Sequence, residues 1–92
     1  MVGFQAGEHA DGATTAAINN AYFGYQAGRY MDDGQNNIAI GYQPMYANSS
    51  EGNSGHELIA IGYQSLYSVT DADNNIAIGY QAGYSLTTAR YN

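Results

Sequence analysis

Eight carboxylates, two imidazoles and two guanidinium groups are all the ionisable chemistry outside tyrosine in these 92 residues, and there is no cysteine. His9 and His56 are the two imidazoles. They fall six and fifteen residues after the nearest preceding copy of a recurring glycine, Gly3 and Gly41, so they occupy different places in the repeat and do not pair as ligands. Asp32-Asp33-Gly34 and Asp71-Ala72-Asp73-Asn74 look superficially like calcium loops. Neither matches the EF-hand spacing or the glycine-rich nonapeptide, so they read as solvated acidic turns. No Ser/His/Asp or Cys/His arrangement recurs with the repeat, and no carboxylate pair is placed for acid–base work. The chain therefore reads as non-enzymatic, with no catalytic residue, no cofactor and no metal. Two other features bear on binding. Asn48-Ser49-Ser50 is a formal N-glycosylation sequon. Tyr46, Tyr67 and Tyr84 recur at one offset and form a candidate stripe for a carbohydrate ligand, although a purely structural tyrosine ladder explains them as well.

The bulk numbers narrow the classes further. One chain of this length is a single domain, 1–92. Its net charge is −6 and its only cations are Arg29 and Arg90, which disfavours nucleic acid and anionic membrane surfaces as partners. No apolar run approaches the ~18 residues of a membrane span, and no basic and apolar leader opens the sequence. Twelve glycines, ten tyrosines and one proline suit strands and tight turns more than a helical bundle.

What must position these groups is an internal repeat. The triplet Gly-aromatic-Gln occurs at Gly3-Phe4-Gln5, Gly24-Tyr25-Gln26, Gly41-Tyr42-Gln43, Gly62-Tyr63-Gln64 and Gly79-Tyr80-Gln81. Three copies are preceded by Ile-Ala-Ile: Ile38 to Ile40, Ile59 to Ile61 and Ile76 to Ile78. Asn pairs stand before three copies, at Asn19-Asn20, Asn36-Asn37 and Asn74-Asn75; Glu57-Leu58 replaces them in a fourth. All eight acids lie outside these cores, in the segments of variable length.

A period of 17 to 21 residues is too short for a helix pair and fits one coil per repeat. The spacing predicts an all-β fold: a parallel β-roll or β-solenoid of about five coils, approximately 1–20, 21–37, 38–58, 59–75 and 76–92. Ile-Ala-Ile is a period-two pattern that sends Ile and Ala to opposite faces. We expect Ile38, Ile40, Ile59, Ile61, Ile76 and Ile78 to fill a narrow core, with the Ala face lying close against another layer. Stacking at ~4.8 Å per coil then brings Tyr over Tyr and lets the Gln amides form a hydrogen-bonded ladder. The longer connectors, Glu8 to Ala17 and Ala47 to Gly55, should bulge as loops.

The Ile-Ala-Ile-Gly-Tyr-Gln core resembles the Asn-Thr-Ala-[Ile/Val]-Gly-Tyr-Gln-Ala-Leu-Tyr-Ser repeat of phage tail-fibre proteins, with Ile76 to Leu86 and Ile59 to Val69 the nearest in pattern. It is also similar to the Ser-[Val/Ile]-Ala-Ile-Gly head repeat of trimeric autotransporter adhesins. The resemblance implies β-rolls that associate side by side as homotrimers and bind host surfaces, at the virion fibre or the cell surface. The units here are longer than adhesin repeats, and Tyr and Gln follow the Gly where adhesins carry small polar residues. The expected function is a structural fibre or attachment module that binds a host glycan or protein through its variable loops. Because Met1-Val2-Gly3 begins just inside the motif and Asn92 stops where the next copy is due, a head-to-tail filament subunit is the alternative expectation. A carbohydrate-binding module is the third.

Overall fold

The computed structural model describes residues 2–8, 19–47 and 54–88. His9, the sequon at Asn48 and most of the two long connectors lie outside them. The described residues contain strands and turns and no helix. Four short strands form one sheet in the order β1 (Ala21–Phe23), β2 (Ile38–Ile40), β3 (Ile59–Ile61) and β4 (Ile76–Ile78). Every pairing is parallel and in strict register, so Ala21, Ile38, Ile59 and Ile76 lie side by side, as do Phe23, Ile40, Ile61 and Ile78. Val2 continues the sheet as a bridge to Phe23, and His56 pairs with Asp73 away from it.

The strands are three residues long because left-handed backbone brackets each one. Asn19, Asn36, Glu57 and Asn74, two positions before a strand, have φ of 57° to 60°. Asparagine tolerates that region better than most residues. Gly24, Gly41, Gly62 and Gly79 follow the strands with φ of 126° to 132°. At Gly41 the requirement is spatial as well as conformational, since a Cβ there would meet the Gly62 carbonyl oxygen at 2.6 Å. The glutamine two residues later is again left-handed in all five copies, φ 51° to 53°. These bends turn the chain sharply away from the sheet after three residues.

The alternation within each strand is the reverse of the expected one. Ala39 and Ala60 are fully buried and Ala77 is 7% exposed, whereas Ile38 and Ile40 are 38% and 39% exposed and Ile76 and Ile78 exceed 60%. The isoleucines are therefore not the core. The reason is width. The space behind the sheet is already filled by Met31, Met45, Leu58, Leu66 and Val69, all buried, which leaves room for a methyl group but not for a branched side chain. Tyr22 occupies the Ala position in β1 and is buried as well. It fits because Gly28 lies under its ring: a Cβ at Gly28 would come within 2.5 Å of the ring carbons. In the next two repeats Met45 and Leu66 hold the position of Gly28 and Ala holds that of Tyr22, so bulk is exchanged across the interior.

Buried amides tie the layers together. Asn37 Nδ2 donates to the Gly55 carbonyl at 2.8 Å, and its Oδ1 accepts from the Leu58 amide at 2.9 Å. Asn20 makes the same two contacts one repeat earlier, to the Gly34 carbonyl at 2.7 Å and from the Asn37 amide at 2.8 Å. Each Asn thus satisfies backbone groups that no strand partner reaches.

Candidate interaction surface

Because register is held from repeat to repeat, equivalent side chains form columns along the stacking direction. The glutamines that follow the motif glycines are one column. Gln26 donates through Nε2 to Gln5 Oε1 at 2.7 Å, Gln43 to Gln26 at 2.7 Å, Gln64 to Gln43 at 2.9 Å and Gln81 to Gln64 at 3.0 Å. At the foot of the column Gln5 donates to Glu8 at 3.0 Å. An amide carries both donor and acceptor, so within the column each glutamine can accept from one neighbouring glutamine and donate to the next.

Beside it runs an aromatic column. Phe4, Tyr25, Tyr42, Tyr63 and Tyr80 stack with centroid separations of 4.8 to 5.2 Å and tilts of 7° to 12°. Tyr46, Tyr67 and Tyr84 form a second column, at 4.9 and 4.8 Å with tilts of 2°. In both columns the interior rings are turned face to face. They present edges and hydroxyls outward, so a sugar would find an open ring face only at a column end. Tyr30 meets Tyr46 edge-on, and the Arg29 guanidinium lies 4.8 Å from the Tyr30 ring centre while its Nε donates to Glu8 Oε2. This caps one end of the second column with a cation.

Partial burial raises the hydroxyl pKa of Tyr67 and Tyr30, in each case assisted by neighbouring tyrosines. The larger effect is at Tyr22. Removal from water pushes its pKa up to about 12, only partly offset by the nearby Asn37 side chain. The Tyr22 hydroxyl does not reach hydrogen-bond geometry with any group.

The acids gather on a different side. Asp33, Gln35, Asn36, Ser54, His56, Glu57, Asp73 and Asn74 surround an open cleft of about 570 Å³. Much of their polar capacity is used internally. His56 Nδ1 accepts from the Gln35 amide and Asp73 Oδ1 from the His56 amide, both at 3.1 Å. Ser54 Oγ donates to Asp71 at 3.0 Å, and Asn74 donates to Glu57. Among the described residues no three His, Asp or Glu side chains converge on a position that could hold a metal ion, and no helix is long and apolar enough to cross a membrane.

The surface that sequence reasoning missed is the outer face of the sheet. Ile38, Ile40, Phe23 and Ile78 are all at least 38% exposed there, and Tyr42 and Tyr80, which follow the strands, are exposed as well. The alternation of Ile and Ala was visible, but nothing local states which side is inner. The signal lay elsewhere, in the Met, Leu and Val residues of the second half of each repeat, which supply enough bulk to fill the interior without the isoleucines. Comparison with protein-family models, curated proteins and solved structures yields no match to this chain.

Proposed function

We propose that the chain is a non-enzymatic structural segment, one stretch of a parallel β-roll or β-solenoid belonging to a phage tail fibre or a bacterial surface adhesin. The observation that carries this reading is the unbroken Gln ladder with its parallel aromatic column: five successive repeats hold one side-chain grammar in register along a single direction. Such columns resist shear between layers and add nothing to turnover, which is what a load-bearing rod needs. The motif resemblance supports the same reading. Attachment to a host surface falls to the variable, acidic segments between the columns, where sequence can change without disturbing the ladder.

The test is location and adhesion together. Gold-labelled antibody against the chain should decorate fibres on virions or on the cell surface, and the purified chain should adsorb to host cells. Labelling confined to the cell interior would end this reading. Micrometre-long filaments from the purified chain alone would favour a self-assembling filament subunit instead.

A further inference from the structure

Oxidation has few places to strike in this chain. There is no cysteine and no tryptophan. Met31 and Met45 are fully buried. The exposed, electron-rich side chains are those of the first aromatic column, where Tyr25, Tyr42, Tyr63 and Tyr80 are all at least 38% exposed. A tyrosyl radical on a free chain waits for its partner by diffusion. Here each ring already has an identical one 4.8 to 5.2 Å away and tilted by only 7°. Holding two reactants together in this way turns a bimolecular step into an intramolecular one. The backbone beneath is laddered, since the carbonyls of Tyr25, Tyr42 and Tyr63 accept from the amides of Gln43, Gln64 and Gln81 at 2.8 Å. With their outer edges in solvent, the rings can turn about χ1 and χ2 and meet at the rim without displacing the core.

We propose that this column is a site of oxidative cross-linking, at which neighbouring tyrosines of successive repeats couple to dityrosine and lock one coil covalently to the next. The co-reactant is a one-electron oxidant of the class a haem peroxidase generates from hydrogen peroxide. Each of two phenols gives an electron to the oxidant and a proton to solvent, which leaves phenoxyl radicals with spin density on the ortho carbons. One Cε of each ring then bonds to the other. The hydrogens on the joined carbons leave as protons, and both oxygens are reprotonated. Per link, two electrons and two protons reduce one hydrogen peroxide to two waters. Phe4 stacks on Tyr25 but has no hydroxyl, so it ends the reactive series. The second column is the poorer substrate. The Arg29 guanidinium donates to the Tyr46 hydroxyl at 3.3 Å, and its charge opposes loss of an electron there. Tyr67 is half-buried with a raised pKa, so it yields its proton less readily. Each link in the first column closes a loop of 17 or 21 residues in the unfolded chain and stabilises the fold as a disulfide would. The proposal stands whether or not the chain belongs to a fibre.

The test treats the purified chain, at low micromolar concentration, with a haem peroxidase and hydrogen peroxide. The expected products show blue dityrosine fluorescence, have lost two hydrogens per link, still run as monomers and unfold at a higher urea midpoint. Cleavage after the acids separates residues 12–32, 34–51, 58–71 and 74–92, and the linked peptides should join neighbouring segments through Tyr25, Tyr42, Tyr63 or Tyr80. Tyr42→Phe with Tyr63→Phe keeps the stack, as Phe4 does, and leaves no two adjacent phenols in the column. Its dityrosine yield should fall at least fivefold, while Tyr46→Phe with Tyr67→Phe should leave the yield unchanged. In case the first variant folds poorly, a second measurement needs none. Wild-type chain photo-oxidised with a ruthenium bipyridyl complex and persulfate should give at least fivefold fewer neighbour links in concentrated urea than in buffer. Absence of dityrosine, links formed mainly between chains, wild-type yield from the Tyr42 and Tyr63 double variant, or equal yields in urea and buffer would each overturn the proposal.

Discussion

Three positions show how single residues carry this architecture. Gly41 combines a φ of 132° with the Gly62 carbonyl where a Cβ would go. The obstacle is backbone, which cannot rotate away. Gly41→Ala should therefore cost about 3 kcal/mol or more, read as a lower urea midpoint. Glu57 is the opposite case. It holds the left-handed position that Asn occupies in the other three described copies, at φ 59°. Glu57→Asn should stabilise by about 0.5–1 kcal/mol, because Asn tolerates this backbone and still offers an acceptor oxygen toward the Asn74 amide. Tyr22 sets an alkaline limit. Its folded pKa of about 12 stands above the ordinary 10.0. Below pH 10 the hydroxyl is protonated in both states and the stability is fully present. As pH rises from 10 to 12 the unfolded chain ionises first, and roughly 2–3 kcal/mol is lost. Tyr22→Phe should remove the largest share of that loss in urea titrations between pH 9 and 12. The raised Tyr67 and Tyr30 groups leave a smaller residue of the same sign.

At the scale of the element, the repeat was legible and its inside was not. Five Gly-aromatic-Gln triplets fix which residues share a level, and the parallel in-register sheet has Ala39, Ala60 and Ala77 side by side. Period two establishes that Ile and Ala part company across the strand. It does not say which of them faces in, because that depends on how far away the opposite wall is. The wall is built by Met31, Leu58 and Val69, none of them in the strand motif. The paired Asn residues tell a similar story. They mark strand starts in sequence, but the division of labour within a pair, one left-handed and outer, the next buried and bridging, emerges only when the following repeat is in place. That bridging has a measurable weight. Asn37→Ala would leave the Gly55 carbonyl and the Leu58 amide without partners in a buried layer. An unpaired buried backbone group costs about 1–3 kcal/mol, so the pair should lower stability by about 2–4 kcal/mol. Amide exchange should report the damage at Leu58 first.

At the scale of the whole molecule, charge and apolar surface are kept apart. The Ile and Tyr columns face one way, while Asp33, Glu57 and Asp73 line the cleft. Apart from Glu57, the fixed part of each repeat is uncharged and the variable part acidic, so the separation follows from the sequence grammar once the repeats stack. It decides how association should answer to salt. If copies met through ion pairs, added salt would weaken the complex. If copies met instead through the isoleucine face, the contact would be apolar and the opposing term repulsion between two −6 chains. At about 0.01 M ionic strength that repulsion reaches ~30 Å, and at 0.15 M only ~8 Å. Self-association should therefore strengthen several-fold as sodium chloride rises from about 0.01 to 0.5 M, most steeply at the low end. Sedimentation equilibrium across that series measures it directly. Weakening with salt would place the contact at the acidic cleft or at the Arg29–Glu8 pair rather than on the isoleucine face.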